Sequence, residues 1–345
     1  MEKGDLTMKK RMISIFLAGI MTLMTACSTQ PEEQKNTEHT QSATELEDFD
    51  IILDWYPNAI HSFLYVAQEK GYYAEEGLNV KVRFPANTND ALSLTAAGKA
   101  DMGIYYLHDT IMTIAKENIP IKSVGALVQS PLNIILSLKE KNITSPADLV
   151  GKKVGESGSI ISEGMIKSNM EYVGKQEKVE LVDVGFDLMS SMTTGKVDAT
   201  IGCMINHEVP QMEAEGFEVQ YYYPNQYGVP DYYELVLLAG TDTLQNNKEK
   251  IKKFLRASKK GFAYTKEHPE EALQILLDHQ NEENFPLKKE VEQKSMDILL
   301  PVMETENAPF LSQNANVWQN NIDWLKKEGL IENEIAAEDI FENID

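Results

Sequence analysis

The feature that most constrains the fold is a regular alternation of short apolar runs with segments of helical periodicity, beginning at Phe49. The first such segments cover residues 51–53, 61–70, 80–84, 90–97 and 102–105. Strands that alternate with helices of this length indicate βαβ units, in which helices cover a mainly parallel sheet. Gly71, Gly77 and Gly98 stand at the predicted helix ends and turns. The pattern therefore predicts an α/β fold.

The same alternation is used a second time between residues 152 and 203. Strands are predicted at 152–155, 179–184 and 199–203, with intervening helices that begin near residue 160 and end near residue 194. Further β-rich runs lie at 124–128, 134–138 and 233–239, and the rest of the chain has helical periodicity, at 249–268, 269–279, 288–300 and 317–328. The chain is thus predicted to leave one α/β lobe, build a second, and return to the first.

Two crossovers are required by this path, and we place them near residues 127–131 and 230–234. The first lobe is then predicted to comprise residues 49–128 and 232–345, and the second lobe residues 129–231. Two lobes joined by two hinge strands can close on each other. Ligands of α/β proteins favour the crevice at the carboxyl ends of the strands.

The N-terminal sequence is typical of a bacterial lipoprotein signal. A basic start, Lys9 to Arg11, precedes an apolar core and then Cys27. That core is shorter than the roughly 20 residues a membrane-spanning helix needs, and it matches a removed secretory peptide. Residues 1–26 are therefore predicted to be cleaved, Cys27 to carry the lipid anchor, and residues 27–48, which are poor in aliphatic residues, to form a flexible tether. Simple secretion is the alternative. The predicted location is extracytoplasmic, on the cell membrane.

Composition and motifs lower the expectation of an enzyme. The formal net charge of -22 argues against a nucleic-acid-binding surface, which needs clustered Lys and Arg. With Cys27 acylated, Cys203 is the remaining cysteine, so no disulfide or cysteine-based zinc site is expected. The chain has no His-Glu-x-x-His pattern, Gly-x-Ser-x-Gly elbow or Walker loop. No metal and no cofactor are predicted.

In the first lobe, two segments that follow predicted strands carry the candidate ligand contacts. After the first strand come Trp55, Tyr56, Asn58 and His61, which offer aromatic surface and hydrogen-bonding groups for a flat heterocycle. Trp55 could instead belong to the core and Asn58 could be a turn or cap residue. After the third strand come Tyr105 and Tyr106. One of these two is expected to pack inward, because consecutive strand residues face opposite sides.

In the second lobe, candidates again follow predicted strands. Ser157, Gly158 and Ser159 link a strand to a helix and could offer polar contacts to a formyl, carboxylate or hydroxyl group. Asn206 and Glu208 follow the last predicted strand of this lobe, and the Glu208 carboxylate could accept hydrogen bonds from an aminopyrimidine. An acidic residue in a first helical turn is also stabilised without any ligand. Among the tyrosines near the second crossover, Tyr222 is the predicted ligand contact.

Five motifs together resemble the periplasmic-type binding proteins for thiamine precursors, relatives of the nitrate, sulfonate and taurine binders and of the fungal pyrimidine synthase. The motifs are Leu-Asp-Trp-Tyr-Pro-Asn at 53–58, Gly-Tyr-Tyr-Ala-Glu-Glu-Gly-Leu at 71–78, Gly-Lys-Ala-Asp-Met-Gly at 98–103, Asp-Leu-Val-Gly-Lys-Lys-Val-Gly at 148–155 and Asn-His-Glu at 206–208. The resemblance covers nearly the whole chain from residue 50 onward. It implies a periplasmic-binding-protein fold of type II.

The resemblance also implies a function. A protein of this kind is expected to be a monomer that captures a pyrimidine such as formylaminopyrimidine and delivers it to an ABC permease with its ATPase. Riboflavin, another planar heterocycle or a sulfonate is the alternative ligand. The synthase relative uses a lysine shortly after the Asp-Met-Gly motif to hold pyridoxal phosphate, and a cysteine cluster near the second crossover. Here Tyr105 occupies the lysine position and residues 221–233 contain no cysteine, so pyrimidine synthesis is the less favoured reading.

Overall fold

In the computed structural model, residues 46–87, 89–185, 187–280 and 286–344 are described. The predicted signal segment, Cys27 and most of the predicted tether lie outside these residues. Among the helices within the described ranges, none is long and apolar enough to cross a membrane.

The chain first builds four strands and four helices of the N-terminal part. These are β1 (Glu47–Ile52), α1 (Ser62–Glu69), α2 (Tyr72–Glu75), β2 (Leu78–Arg83), α3 (Asp90–Ala96), β3 (Met102–Tyr106), α4 (Leu107–Glu117) and β4 (Ile121–Ala126). A single 3₁₀ turn, Ala59–His61, leads into α1.

The middle of the chain supplies a second set of strands and helices. These are β5 (Asn133–Leu138), β6 (Lys153–Glu156), α5 (Ile160–Tyr172), β7 (Glu180–Asp183), α6 (Leu188–Thr193), β8 (Ala199–Met204), α7 (Glu208–Ala214) and β9 (Val219–Tyr222). Short 3₁₀ turns occur at Lys139–Lys141, Pro146–Leu149 and Pro224–Gln226.

After the second set the chain returns through one strand and continues as helices. These elements are β10 (Leu235–Gly240), α8 (Thr241–Asn246), α9 (Lys248–Glu267), α10 (Pro269–Asp278), α11 (Lys289–Met303), α12 (Ala315–Lys327) and α13 (Ala337–Ile340).

The strands form two five-stranded sheets, with the orders β2-β1-β3-β10-β4 and β7-β6-β8-β5-β9. In the first sheet β1 runs parallel to β2 and β3, whereas β10 runs antiparallel to β3 and β4. In the second sheet β6 runs parallel to β7 and β8, whereas β5 runs antiparallel to β8 and β9. The predicted α/β fold is therefore present, with mixed sheets where the sequence predicted mainly parallel ones.

The antiparallel strands have a simple topological cause. Each of β5 and β10 enters its sheet directly from the other sheet, without a helix that would carry the chain back to the starting edge. Consecutive strands of one sheet become parallel through a long crossover connection, which is usually a helix. The strand β9 was not predicted from the sequence. It has four residues and pairs with β5 at the edge of its sheet.

The two sheets are joined by residues 127–132 and by residues 223–234. Both predicted lobe boundaries, 128/129 and 231/232, fall within these connections. The division into two lobes that move as rigid bodies stays a prediction.

The core on one side of the first sheet depends on close packing of α1 against α9. Phe49 of β1 stacks on Phe254 of α9, with ring centroids 4.5 Å apart. Two turns further along α9, Gly261 lies against α1, where a Cβ atom would meet the carbonyl oxygen of Phe63 and stand 2.9 Å from the Cβ of Ala67. Glycine at this position allows the two helices to approach to backbone contact.

We therefore expect Gly261→Ala to destabilise the protein, although alanine favours a helix by about 1 kcal/mol over glycine. The added methyl must push α9 away from α1, and overpacking of this kind costs about 1–3 kcal/mol. Thermal or urea unfolding measures the effect. Ala263→Gly, on the exposed side of the same helix, is the control for helix propensity alone. A Gly261→Ala protein as stable as the parent would contradict the close contact.

Candidate functional site

A cavity of about 600 Å³ lies between the ends of the strands of the two sheets. From the first sheet it is lined by the segments that follow β1 and β3, and from the second by the segments that follow β6 and β8. Of the residues predicted as ligand contacts, its lining includes Trp55, Asn58, Tyr105, Tyr106, Ser157, Gly158, Ser159, Asn206 and Glu208. Tyr56, His61 and Tyr222 lie outside this lining. The assignment of these residues as ligand contacts stays a prediction.

The segment after β1 is held in shape by His61, which is fully buried. Its Nδ1 accepts a hydrogen bond from the Asn58 amide at 3.3 Å, so the proton resides on Nε2, which contacts Asp54 Oδ1 at 2.9 Å. Asn58 in turn accepts from the Ile60 amide at 3.0 Å and caps the 3₁₀ turn. His61 therefore lies behind the cavity wall and orients Asp54, and the cap role foreseen for Asn58 coexists with a place in the cavity lining.

Trp55 and Tyr56 differ in their place relative to the cavity. Their rings meet edge to face with centroids 5.8 Å apart, and both border a smaller adjacent pocket. Of the two, Trp55 also lines the cavity, whereas Tyr56 packs with its ring centroid 5.7 Å from that of Phe84.

Both tyrosines at the end of β3 line the cavity, and Tyr105, which is 6% exposed, also packs in the core, as expected for one of the pair. Tyr106 is the last residue of β3 and the N-cap of α4, so the chain turns there and the strict alternation of a strand no longer applies. The Tyr105 hydroxyl donates to Asn89 Oδ1 at 2.9 Å, and the two tyrosine rings meet edge to face with centroids 5.4 Å apart. The pair forms an aromatic surface on the first wall.

On the second wall, the Ser157–Ser159 turn is internally bonded. Buried Glu156 accepts the Ser159 amide at 2.8 Å, and the Ser159 hydroxyl caps α5 by accepting from the Ile161 amide at 3.3 Å. A carboxylate thus occupies one of the amides that an anionic ligand could use, and places negative charge behind the turn. This turn is poorly suited to phosphate or sulfonate.

Glu208 also has partners within its own loop. One carboxylate oxygen accepts the Met204 amide at 2.6 Å and the other lies 2.9 Å from Nδ1 of His207. Burial alone would lower the pKa of His207, but the hydrogen bond and charge of Glu208 raise it above its usual value. Each carboxylate oxygen can accept more than one hydrogen bond, so Glu208 retains acceptor capacity toward the cavity.

Tyr222 is buried in β9 with its ring 5.3 Å from that of Tyr227. Its place in the core, outside the cavity lining, was unpredictable because β9 itself was not recognised as a strand.

Two polar residues at the crossovers, Asn133 and Glu234, line the cavity although they were not predicted from the sequence. Glu234 is 5% exposed, and its Oε2 accepts the amides of Leu132 at 2.6 Å and Asn133 at 3.0 Å. One carboxylate therefore ties the second connection between the sheets to the first. The sequence feature that could have revealed Glu234 is its position directly before the wholly apolar strand β10.

Burial changes the ionisation of the cavity groups. It raises the pKa of Glu234 to about 7 and that of Asp109 to about 6, because a charged carboxylate loses its hydration there. It lowers the pKa of His108 to about 4, so this ring is neutral and hydrogen-bonds Asn321 at 2.8 Å.

The fixed charges around the cavity are mainly negative. Four carboxyl-bearing residues, Asp54, Asp109, Glu208 and Glu234, contribute to its lining, and no lysine or arginine occurs among the described residues that do so. His207, whose pKa is raised by Glu208, also lines the cavity and offsets part of this charge when protonated. An anion would meet repulsion from the carboxylates, whereas amino groups and cations would find acceptors.

Comparison with known proteins identifies the family of the chain. The family model described as "NMT1/THI5 like" matches residues 58–272. A formylaminopyrimidine-binding protein of Halalkalibacterium halodurans is 43% identical over 335 residues, which is 97% of this chain and 98% of that protein. A 4-amino-5-hydroxymethyl-2-methylpyrimidine phosphate synthase of Legionella pneumophila is 29% identical over 245 residues, covering 70% of this chain and 76% of the synthase.

Among solved structures, the periplasmic aliphatic sulphonate binding protein of Escherichia coli superposes with a TM-score of 0.68 at 16% identity, covering 86% of this chain and 98% of that one. The predicted periplasmic-binding-protein fold is thereby confirmed, and so is the family resemblance found in the sequence motifs. With a family model over more than half of its residues and a relative 43% identical along nearly its whole length, the chain belongs to the NMT1/THI5-like family.

Proposed function

We propose that this protein is the extracytoplasmic solute-binding component of an ABC importer, and that it captures an uncharged or cationic aminopyrimidine such as formylaminopyrimidine. The observation that carries the proposal is the cavity, which combines aromatic surface with four carboxyl-bearing residues and has no lysine or arginine among its described lining residues. The 43% identical relative that is named as a formylaminopyrimidine-binding protein supports the same ligand class.

The charge of the cavity discriminates between the candidate ligands. A sulfonate, nitrate or phosphate ester needs positive charge or free backbone amides. In this cavity the Ser159 amide already bonds to Glu156, and the side chains are acidic. Repulsion between unit charges a few ångströms apart reaches several kcal/mol in a partly buried site. The fold shared with a sulphonate binder therefore does not favour a sulfonate ligand here.

The assignments of individual residues follow from their chemistry. Trp55, Tyr105 and Tyr106 would stack on the ring, a contact worth about 1–3 kcal/mol for a planar base. Asn58, Asn206 and Glu208 would accept or donate hydrogen bonds at the ring edge. Ser157, Gly158 and Ser159 would contact the substituent that points toward the second wall.

Closure of the two lobes, residues 49–128 with 232–345 and residues 129–231, would enclose the ligand. A ligand that contacts both walls binds the closed state better than the open one, and this difference in affinity drives closure. The closed form would then dock on the permease.

The aminopyrimidine phosphate synthases of the family offer the alternative function. Against it, Tyr105 stands where the resemblance expects the lysine that holds pyridoxal phosphate, and its hydroxyl bonds to Asn89. A phenol cannot form the Schiff base that the cofactor requires. We therefore favour binding over synthesis.

A thermal-shift panel tests the ligand class. Formylaminopyrimidine should raise the melting temperature, with a stabilisation of about 2.7 kcal/mol when its concentration is a hundred times Kd. An alkyl sulfonate should give no shift, and pyridoxal phosphate should give no Schiff-base absorbance. Stabilisation by the sulfonate without any response to the pyrimidine or to riboflavin would refute the proposal.

A pair of aromatic substitutions tests the site. Trp55→Ala should weaken formylaminopyrimidine binding about tenfold or more through lost stacking, measured by calorimetry. Tyr222→Phe, which removes a hydroxyl outside the cavity lining, should bind like the parent. Equal affinity of Trp55→Ala and the parent would remove Trp55 from the site.

Stability should depend on pH through Glu234. Its pKa rises from an ordinary 4.5 to about 7 on folding, so between these values the folded state binds more protons than the unfolded state. The free energy of unfolding then falls as pH rises through this range. Glu234→Gln keeps an acceptor for the two amides but cannot ionise. We expect the melting temperature of Glu234→Gln, relative to that of the parent, to increase from pH 5 to pH 8. Glu218→Gln, at an exposed carboxylate, should have the same pH dependence as the parent.

The proposed lipid anchor is tested by the two cysteines. Cys27→Ser should move the protein from the membrane fraction to the medium or periplasm, whereas Cys203→Ser, at a buried thiol of β8, should leave it in the membrane fraction. Membrane association of the Cys27→Ser protein would exclude a lipid on that residue.

A further inference from the structure

The helix α11 contacts both walls of the cavity within a single turn. Its residues Glu292 and Ser295 are each 1% exposed. They are three positions apart and therefore share one face of the helix. Glu292 Oε2 accepts the amide of Ala59 at 2.7 Å, and the Ser295 hydroxyl lies 3.1 Å from Nδ2 of Asn206.

These two contacts reach different sheets. Ala59 belongs to the 3₁₀ turn that follows β1 and is the neighbour of Asn58 in the first wall. Asn206 follows β8 in the second wall, is 3% exposed and lines the cavity. The helix itself continues from the first sheet's part of the chain, after β10.

The contact between α11 and the second wall extends along α7. Lys294 pairs with Glu213 at 3.1 Å and Lys288 with Glu215 at 3.2 Å. These ion pairs are half exposed, so each contributes little. The buried hydrogen bonds of Glu292 and Ser295 are the stronger links, because their loss would leave buried polar groups without partners.

We propose that Glu292 and Ser295 of α11 are positioning residues that hold the two cavity walls at the spacing required for ligand binding, without touching the ligand. The inference deepens the function proposed above and depends on it for the identity of the ligand. It assigns to α11 the contact that favours the closed arrangement of the walls: Ser295 orients the Asn206 amide, and Glu292 holds the turn that carries Asn58.

In the absence of ligand, the arrangement of the walls tests this proposal directly. Spin labels attached after Lys99→Cys and Lys178→Cys, two exposed loop positions that precede β3 of the first sheet and β7 of the second, report the distance between them by pulsed electron paramagnetic resonance. Of the two native cysteines, Cys203 is buried and will not be labelled, and Cys27 is replaced by serine in every protein measured. We expect the distance distribution of Ser295→Ala to broaden toward longer distances than in the parent background. An unchanged distribution overturns the proposal, whatever the ligand affinity.

Binding of formylaminopyrimidine tests the same residues with matched variants. Ser295→Ala and Glu292→Ala should each raise Kd roughly fivefold, the factor expected for one lost hydrogen bond, mainly through faster dissociation. Glu292→Gln keeps the acceptor for the Ala59 amide and should restore most of the affinity. Asp297→Asn, on the exposed face of α11, should not change Kd.

The two measurements separate the possible failures. If the parent binds no pyrimidine, the proposed function fails while the spin-label distances still decide the role of α11. If the parent binds but Ser295→Ala and Glu292→Ala have the parent's Kd, α11 has no positioning role. If Glu292→Gln loses as much affinity as Glu292→Ala at an unchanged melting temperature, the charge rather than the hydrogen bond acts, and the proposal is wrong.

Discussion

Buried carboxylates that accept hydrogen bonds from backbone amides hold together the loops on which the cavity depends. Glu156 bonds to Ser159, Glu208 to Met204, Glu234 to Leu132 and Asn133, and Glu292 to Ala59. Irregular backbone at a cleft carries amides without secondary-structure partners, and burying them unpaired would cost free energy at each one. A glutamate can satisfy an amide from a neighbouring element and so fixes the relative position of both. Two of these carboxylates, Glu234 and Glu292, join segments more than 100 residues apart in sequence.

Two of these carboxylates, Glu208 and Glu234, also line the cavity and give it its acidic character together with Asp54 and Asp109. The described lining residues include no lysine or arginine. Burial raises the pKa of Glu234 and Asp109, which shows that their charges are poorly solvated. A ligand that donates hydrogen bonds would supply the solvation that the cavity withholds.

Much of the fold could be predicted from the sequence because alternating strands and helices leave a periodic pattern of apolar residues. The prediction was less accurate where partners are remote. The antiparallel direction of β5 and β10 depends on the path between sheets, and β9 is too short to have a distinct period. For the site, location after a strand was sufficient to find Trp55 and the Asn206 loop. It could not separate Trp55 from Tyr56 or show that His61 faces away from the cavity, because adjacent loop residues diverge according to packing that only the folded chain supplies.

By itself the sequence determined the α/β class, the two passages between sheets, the family and the strand ends at which the cavity forms, since these follow from local periodicity and from short contiguous motifs. Only the tertiary structure decided which of the candidate residues meet, that Glu234 and Asn133 belong to the cavity, and that α11 contacts both of its walls. The physical reason is that hydrogen bonds between residues such as Asn206 and Ser295, 89 positions apart, leave no trace in local sequence and exist only when folding brings their elements together.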